Sequence, residues 1–426
     1  MDRLVVEGGF PLKGETRVSG AKNAALPLMA ASILADGPLT LVNIPRLGDL
    51  RTMGRLIAFM GGSVSPFWEN GEAEVATIET RNIDRPEAPH ELVKTMRASA
   101  LVLGPLLAKC GRAKVSLPGG CAIGVRPIDL HLTALKEMGA TFDLSGGDIV
   151  AAAPKGGLKA ARIRFETVTV TGTENIMMAA ALADGVTTIS NAAKEPEVVD
   201  TGEALIKMGA KIEGLGTDEL AIEGVPSLSG AEYRVMPDRI EAGTLIAAVA
   251  VAGGEVLLKG TPFKAMAGVI EKFASSGLAL EAQGDDLLAR RDPLEPLKAQ
   301  DMTTSPFPGF PTDMQAQFMA AMTLARGVSI VTETIFENRF MHVAELKRLG
   351  ADISLEGRVA VVRGVKSLSG APLTASDLRA SASLILAALA AKGQSSLARV
   401  YHLDRGYNRL DRKLNSLGAK IRREKE

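Results

Sequence analysis

The stretch "ADGPLTLVNI", residues 35–44, sets a small residue, an acid and a glycine ahead of a run rich in apolar and β-branched side chains. Glycine enters the left-handed region without steric penalty and so closes helices, while β-branched side chains fit a pleated surface. The stretch therefore reads as a helix end followed by a strand. It recurs as "AKCGRAKVSL" around Gly111, "ADGVTTISNA" around Gly185, "AGGEVLLKG" around Gly254, "ARGVSIVTET" around Gly327 and "AKGQSSLARV" around Gly393. Counted from Gly37, these glycines lie 74, 74, 69, 73 and 66 residues apart.

A second phrase keeps phase with the first: "MGGSV" at Gly61, "MGATF" at Gly139, "MGAKI" at Gly209, "SGLAL" at Gly277, "LGADI" at Gly350 and "LGAKI" at Gly418. Each unit of about 70 residues thus carries two helices and about four strands, longer than the common solenoid repeats. The helix before each first glycine, such as "NAALPLMAASILA" or "ASASLILAALAA", is apolar on all sides and belongs in a core. Six units predict an α/β protein of two domains, three units each, with helices inside and sheets outside.

Composition narrows the class. The chain has 426 residues, 46% of them hydrophobic, and 49 basic against 49 acidic side chains. Zero net charge supplies no broad basic field for nucleic acid or an anionic membrane, so any bound anion must be held by a local cluster. The opening "MDRLVVEGGF" lacks the pattern of a secretory signal, and no run is long and apolar enough to span a bilayer, so a cytoplasmic protein is expected. Cys110 and Cys121 are the two cysteines; in a reducing compartment they stay free.

Four groups of residues carry chemistry. In "LPGGCAIGVRP", residues 117–127, Cys121 sits among glycines and prolines where burial is hard to achieve, five residues before Arg126. A cationic neighbour and the start of the following helix, "IDLHLTALKEMG", lower a thiol pKa, and Asp129 and His131 lie on its first turn. A mobile loop with an incidental cysteine is the plainer alternative; Cys110, in "LLAKCG", reads as inert core. In "SGAKNAALPL", residues 19–28, Lys22 and Asn23 open the first helix, where free N–H groups favour anions. A surface lysine would look the same, and the stretch is not a P-loop.

In "FPGFPTDMQAQF", residues 307–318, Thr312 and Gln315 form a capping box that leaves the Asp313 carboxylate free to act as a general base. The same box is expected at Thr171 to Glu174. Arg339, Arg379 and Arg405 stand at similar places in later units. Singly each is an ordinary surface arginine; with Lys22 and Arg126 they point to a strongly anionic small molecule held between the domains. His90, His131, His342 and His402 are scattered and make no metal-ligand spacing with the cysteines, so no metal is expected.

Taken in order, "SGAKNA", "KTMRAS", "LPGGCAIGVRPIDLH", "EPEVVD", "FPTDMQAQF", "FENRFMHV", "DLRAS" and "HLDRGY" resemble the enolpyruvyl transferase family along the whole chain. The resemblance implies two inside-out α/β barrel domains of three units each, residues 22–236 carrying the catalytic loop and residues 1–21 with 237–426 forming the other. It places the active site in the cleft between them. It implies transfer of the enolpyruvyl group of phosphoenolpyruvate to the 3-hydroxyl of UDP-N-acetylglucosamine through a tetrahedral ketal, without cofactor, as the committed step of peptidoglycan synthesis.

By the same resemblance Cys121 protonates the methylene carbon, Asp313 faces the attacking hydroxyl as base or orienting group, and Lys22, Arg126 and Arg405 clamp phosphate and carboxylate. Asn23 touches the ketal and Arg379 supports the clamp. The nucleotide-sugar side is expected to use Arg97, Arg126, Pro127, Ile128, Asp129 and Leu130, the strand Thr167, Val168, Thr169 and Val170, and Ile335. Two alternatives are a shikimate-pathway enolpyruvyl transferase, whose loop lacks the cysteine, and a catalytically silent paralogue that binds nucleotide sugar.

Overall fold

A computed structural model describes residues 2–65, 74–94, 96–116 and 128–425, with Arg97 described by its backbone alone. The spaced glycines act as the sequence implies. Gly61, Gly139, Gly209, Gly277, Gly350 and Gly418 all have φ between 92° and 111° and follow the last residues of a helix. Of the first set, Gly111, Gly185, Gly254, Gly327 and Gly393 are also left-handed, but Gly37 is not. The following Pro38 biases Gly37 toward extended backbone, so that helix end closes without a left-handed residue.

The β-branched runs become six four-stranded sheets among the described residues, all with one topology. An edge strand runs parallel to the second, and the remaining two are antiparallel, as in Arg162–Arg164, Val186–Ser190, Glu219–Glu223 and Lys211–Glu213. Three sheets draw on distant sequence: Ala231–Arg234 joins Leu39–Val42 in parallel, Leu12–Arg17 joins Gly254–Lys259, and Asp2–Glu7 lies between Gln394–Ala398 and Lys420–Lys425.

The chain divides into two compact units. Among the described residues, one comprises residues 2–19 and 237–425, the other residues 20–65, 74–94, 96–116 and 128–236. Each has its own apolar core and three of the sheets. In the first unit the central helices are Arg239–Ala252, Gln315–Met322 and Leu378–Ala390; in the second they are Lys22–Ala31, Leu103–Cys110 and Val170–Ala180. From Arg379 to Leu389 every residue of its helix is buried, so the helix has no polar face, as its composition predicts. Each fully buried leucine or isoleucine there is worth about 1.5–3 kcal/mol. Close crossing needs small residues: a side chain on Gly104 would collide with the backbone carbonyl of Asn175.

Asp238 and Asp377 cap two of these helices through their carboxylates, and Thr169 caps a third by accepting from Gly172 N at 3.2 Å. Thr171 and Glu174 therefore do not form the expected capping box, because the helix begins at Val170 and Glu174 is buried within it. Cys110 ends its helix half-buried rather than in the core interior, and burial pushes its thiol pKa up, against reactivity.

Candidate functional site

Asp313 follows Pro311 in a short 3-10 turn, Thr312–Met314, that leads into Gln315–Met322. The expected Thr312–Gln315 capping box is absent. Thr312 Oγ1 instead donates to Glu333 Oε2 at 2.8 Å, and the Gln315 side chain is buried away from the turn's N–H groups. Nor is the Asp313 carboxylate free. Arg339 Nη2 donates to Oδ1 at 2.7 Å, while Arg379 Nη2 and Nε donate to Oδ2 at 2.9 and 3.2 Å.

Burial would raise the Asp313 pKa, but the Arg379 and Arg339 guanidiniums outweigh it and hold the carboxyl well below the usual carboxylate range. A quarter of the Asp313 side chain remains accessible, so the group is a fixed, ionised acceptor with an open face.

Arg339 is itself fixed from behind. Its Nη1 donates to Thr312 Oγ1 at 2.8 Å, and Glu333, fully buried, also accepts from Thr304 Oγ1 and from the N–H groups of Ile335 and Phe336. Ile335 thus sits on a turn pinned by the carboxylate that orients Thr312. Arg379 is 4% exposed, and its guanidinium lies over the Tyr407 ring, with its carbon 5.3 Å from the ring centroid. Arg405 lies half-buried at the end of the short helix Tyr401–Asp404.

In the other unit Lys22 is the first residue of its helix, preceded by Ala21, which offers no side-chain cap. Lys22 Nζ pairs with Asp49 Oδ2 at 2.8 Å, and Asn23 is the next residue. Ile128, Asp129 and Leu130 stand at the start of the helix Asp129–Glu137, beside the start of Val170–Ala180.

A histidine ties these two helix starts together. Asn175 accepts from Gly104 N through Oδ1, so its Nδ2 donates to the Ala100 carbonyl and to His131 Nδ1 at 2.9 Å. The His131 proton is thereby placed on Nε2, 3.4 Å from Thr171 Oγ1, and burial lowers its pKa to about 4. Thr167, Val168 and Thr169 are not a strand as expected. The chain bends at Thr167 after the strand Arg162–Arg164, and Val168 leads to Thr169, an extended residue whose side chain caps the helix that begins at Val170.

The structure therefore gathers Asp313, Arg339 and Arg379 in one unit, and in the other Lys22 with Asp49 and the two helix starts near His131. Cys121, Arg126 and Pro127 lie outside the described residues, as does the side chain of Arg97. Sequence reasoning passed over Asp49, Glu333, Gln317 and Tyr407; Glu333 and Gln317 are polar residues beside apolar runs, while Asp49 and Tyr407 sit among polar and charged neighbours that give no such signal. No group of three or more potential metal ligands occurs among the described residues, and no described helix is long and apolar enough to cross a membrane.

Comparison with known proteins gives a consistent picture. The family model for EPSP synthase (3-phosphoshikimate 1-carboxyvinyltransferase) matches residues 6–414. A UDP-N-acetylglucosamine 1-carboxyvinyltransferase from Nitratidesulfovibrio vulgaris is 57% identical over 427 aligned residues, 100% of both chains. Proteins of that name from Lawsonia intracellularis and Myxococcus xanthus are 54% and 53% identical, again over 100% of both chains. Among solved structures, the enolpyruvyl transferase NikO from Streptomyces tendae aligns with a TM-score of 0.88 at 26% identity, over 99% of this chain and 98% of that one. An EPSP synthase from Acinetobacter baumannii, 18% identical, aligns at 0.73 over the full length of both chains and shares the fold.

Proposed function

This chain belongs to the EPSP synthase family, and from that premise we propose that it transfers the enolpyruvyl group of phosphoenolpyruvate to the 3-hydroxyl of UDP-N-acetylglucosamine, with release of phosphate. It is a transferase whose partners are small molecules. The observation that carries the substrate choice is 53–57% identity, along the whole chain, to proteins named for that sugar nucleotide. The activity belongs to the cytoplasmic stage of peptidoglycan synthesis, which also makes the protein a target for thiol-alkylating mimics of phosphoenolpyruvate such as fosfomycin.

The reaction needs a proton at the methylene carbon, an oxygen nucleophile at C2, and stabilisation of the phosphate and carboxylate. Cys121 supplies the proton: as the sugar 3-oxygen bonds to C2, the vinyl electron pair takes hydrogen from the thiol, giving a tetrahedral ketal that still carries phosphate. Elimination reverses the roles, the methyl group losing a proton as the C–O bond to phosphate breaks.

Lys22, Arg126 and Arg405 bind the anionic end, Asn23 touches the ketal, and Arg379 supports the clamp through its bonds to Asp313. Asp313, ionised and gripped by two arginines, is a weak base. It aligns the hydroxyl as an acceptor and receives the proton late, after C–O bond formation has made that proton acidic. Arg97, Arg126 to Leu130, Thr167 to Val170 and Ile335 face the nucleotide sugar.

The test is phosphate release from phosphoenolpyruvate by wild type and Cys121→Ser, with UDP-N-acetylglucosamine, with shikimate 3-phosphate, or with neither. Release that requires the sugar nucleotide and disappears in Cys121→Ser is expected. Release driven by shikimate 3-phosphate would replace this reading with the shikimate-pathway one, and sugar-nucleotide binding without release would indicate a silent paralogue.

A further inference from the structure

Beneath Asp313 lies a polar chain in a place where apolar residues would pack as well. Gln317, one turn along the helix, places Nε2 2.9 Å from the Asp313 carbonyl oxygen and 3.1 Å from Tyr407 Oη. Tyr407 Oη is 2.9 Å from Thr244 Oγ1, which donates its own hydrogen to the Ile240 carbonyl at 2.7 Å. Gln317 Nε2 is also 3.2 Å from Thr244 Oγ1. With its own hydrogen on Ile240, Thr244 accepts from Tyr407; one Gln317 hydrogen goes to Asp313 and the other is shared between Tyr407 Oη and Thr244 Oγ1. The ring of Tyr407 lies under Arg379, whose guanidinium carbon is 5.3 Å from the ring centroid.

Gln317 and Thr244 are fully buried and Tyr407 is 2% exposed. Burying three polar side chains forfeits their hydration, and an apolar trio of equal volume would give comparable stability. What such a chain adds is a unique geometry. We propose that Gln317 and Tyr407 are positioning residues for the transfer reaction. Gln317 fixes the backbone at Asp313, and the Tyr407 hydroxyl, anchored on Thr244, locks the ring that sets the plane of Arg379, so that Oδ2 is held in one place for the acceptor hydroxyl. This inference rests on the reaction proposed above.

Tyr407→Phe keeps the ring under Arg379 and removes the hydroxyl; Gln317→Met keeps the volume and removes the amide. Each single variant should lower kcat about tenfold with KM for UDP-N-acetylglucosamine within about twofold of wild type. The double variant should lose no more than the worse single, since both cut one chain. Unchanged kcat in both singles, losses that multiply in the double, or losses that track a lowered melting temperature would overturn the proposal.

Wild type assayed beside them separates the two readings. If wild type itself releases no phosphate, the reaction is wrong, and the crystal structure of Tyr407→Phe then decides the positioning claim. The Arg379 guanidinium should turn away from Asp313 Oδ2; contacts retained at their present 2.9 and 3.2 Å overturn it.

Discussion

Lys22 Nζ lies 2.8 Å from Asp49 Oδ2, with the two side chains only 13% and 6% exposed. Lys22 opens a helix, where the dipole already favours anions and disfavours an added cation. Asp49, in the first turn of Gly48–Phe59, compensates that charge and sets the direction in which the ammonium points. Replacing Asp49 by Asn should raise KM for phosphoenolpyruvate about tenfold by releasing the lysine from that direction, with a smaller effect on KM for the sugar nucleotide. Steady-state kinetics with each substrate varied in turn will test it; equal changes in both constants would speak for general loosening instead.

Asp313 binds both Arg339 and Arg379, whose guanidiniums are nearly buried. Asp313→Asn keeps the shape and removes the charge, so two like charges then face each other in a poorly hydrated site. Removing one partner of a buried pair costs about 3–5 kcal/mol, and a loss of that order is expected in the unfolding free energy, seen as a lowered denaturant midpoint. Phosphate release should fall at least about a hundredfold. An unaltered midpoint would mean that the arginine charges are balanced elsewhere.

Asp200, in the helix Pro196–Lys207, accepts from Tyr233 Oη at 2.9 Å, and burial raises its pKa from 3.8 to about 7. The folded state therefore keeps a proton that the unfolded chain releases near pH 4, and this contribution to stability is lost as pH rises from about 4 to about 7. His131, in the same unit, runs the other way. Its folded pKa is lowered from 6.5 to about 4, so its contribution is present above pH 6.5 and lost as pH falls toward 4. Over the shared window the two slopes oppose. His342 adds a slope of the same sign as His131 and the buried Glu174 one of the sign of Asp200, so the effect is read as a difference: Asp200→Asn should make stability rise with pH more steeply than wild type, by up to about 1.4 kcal/mol per unit between about pH 4.5 and 6.5. Denaturant midpoints at three pH values in that window are the measurement; parallel curves for variant and wild type would exclude a titrating Asp200.

The six-unit plan is legible in the chain because its signals are local. A glycine that must be left-handed, a helix without a polar face and a β-branched run each act through backbone geometry within a few residues, and all six glycines of the second phrase take positive φ. Pairings across the sheets then follow from repetition, although the partners of Leu12–Arg17 and Ala231–Arg234 lie far away in sequence.

Local signals also misled wherever a distant group competed for the same atom. Thr312 and Gln315 have the spacing of a capping box, but Glu333 takes the Thr312 hydroxyl, and the carboxylate of Asp313 goes to arginines 26 and 66 residues away. Thr169 rather than Thr171 caps its helix, which turns an expected strand into a lead-in. Backbone conformation is set by neighbours along the chain, so its pattern could be read in the letters. Protonation and orientation at the site are set by which charges converge through space, and only the folded core brings Arg339 and Arg379 to Asp313 and Tyr407 to Arg379 and Gln317.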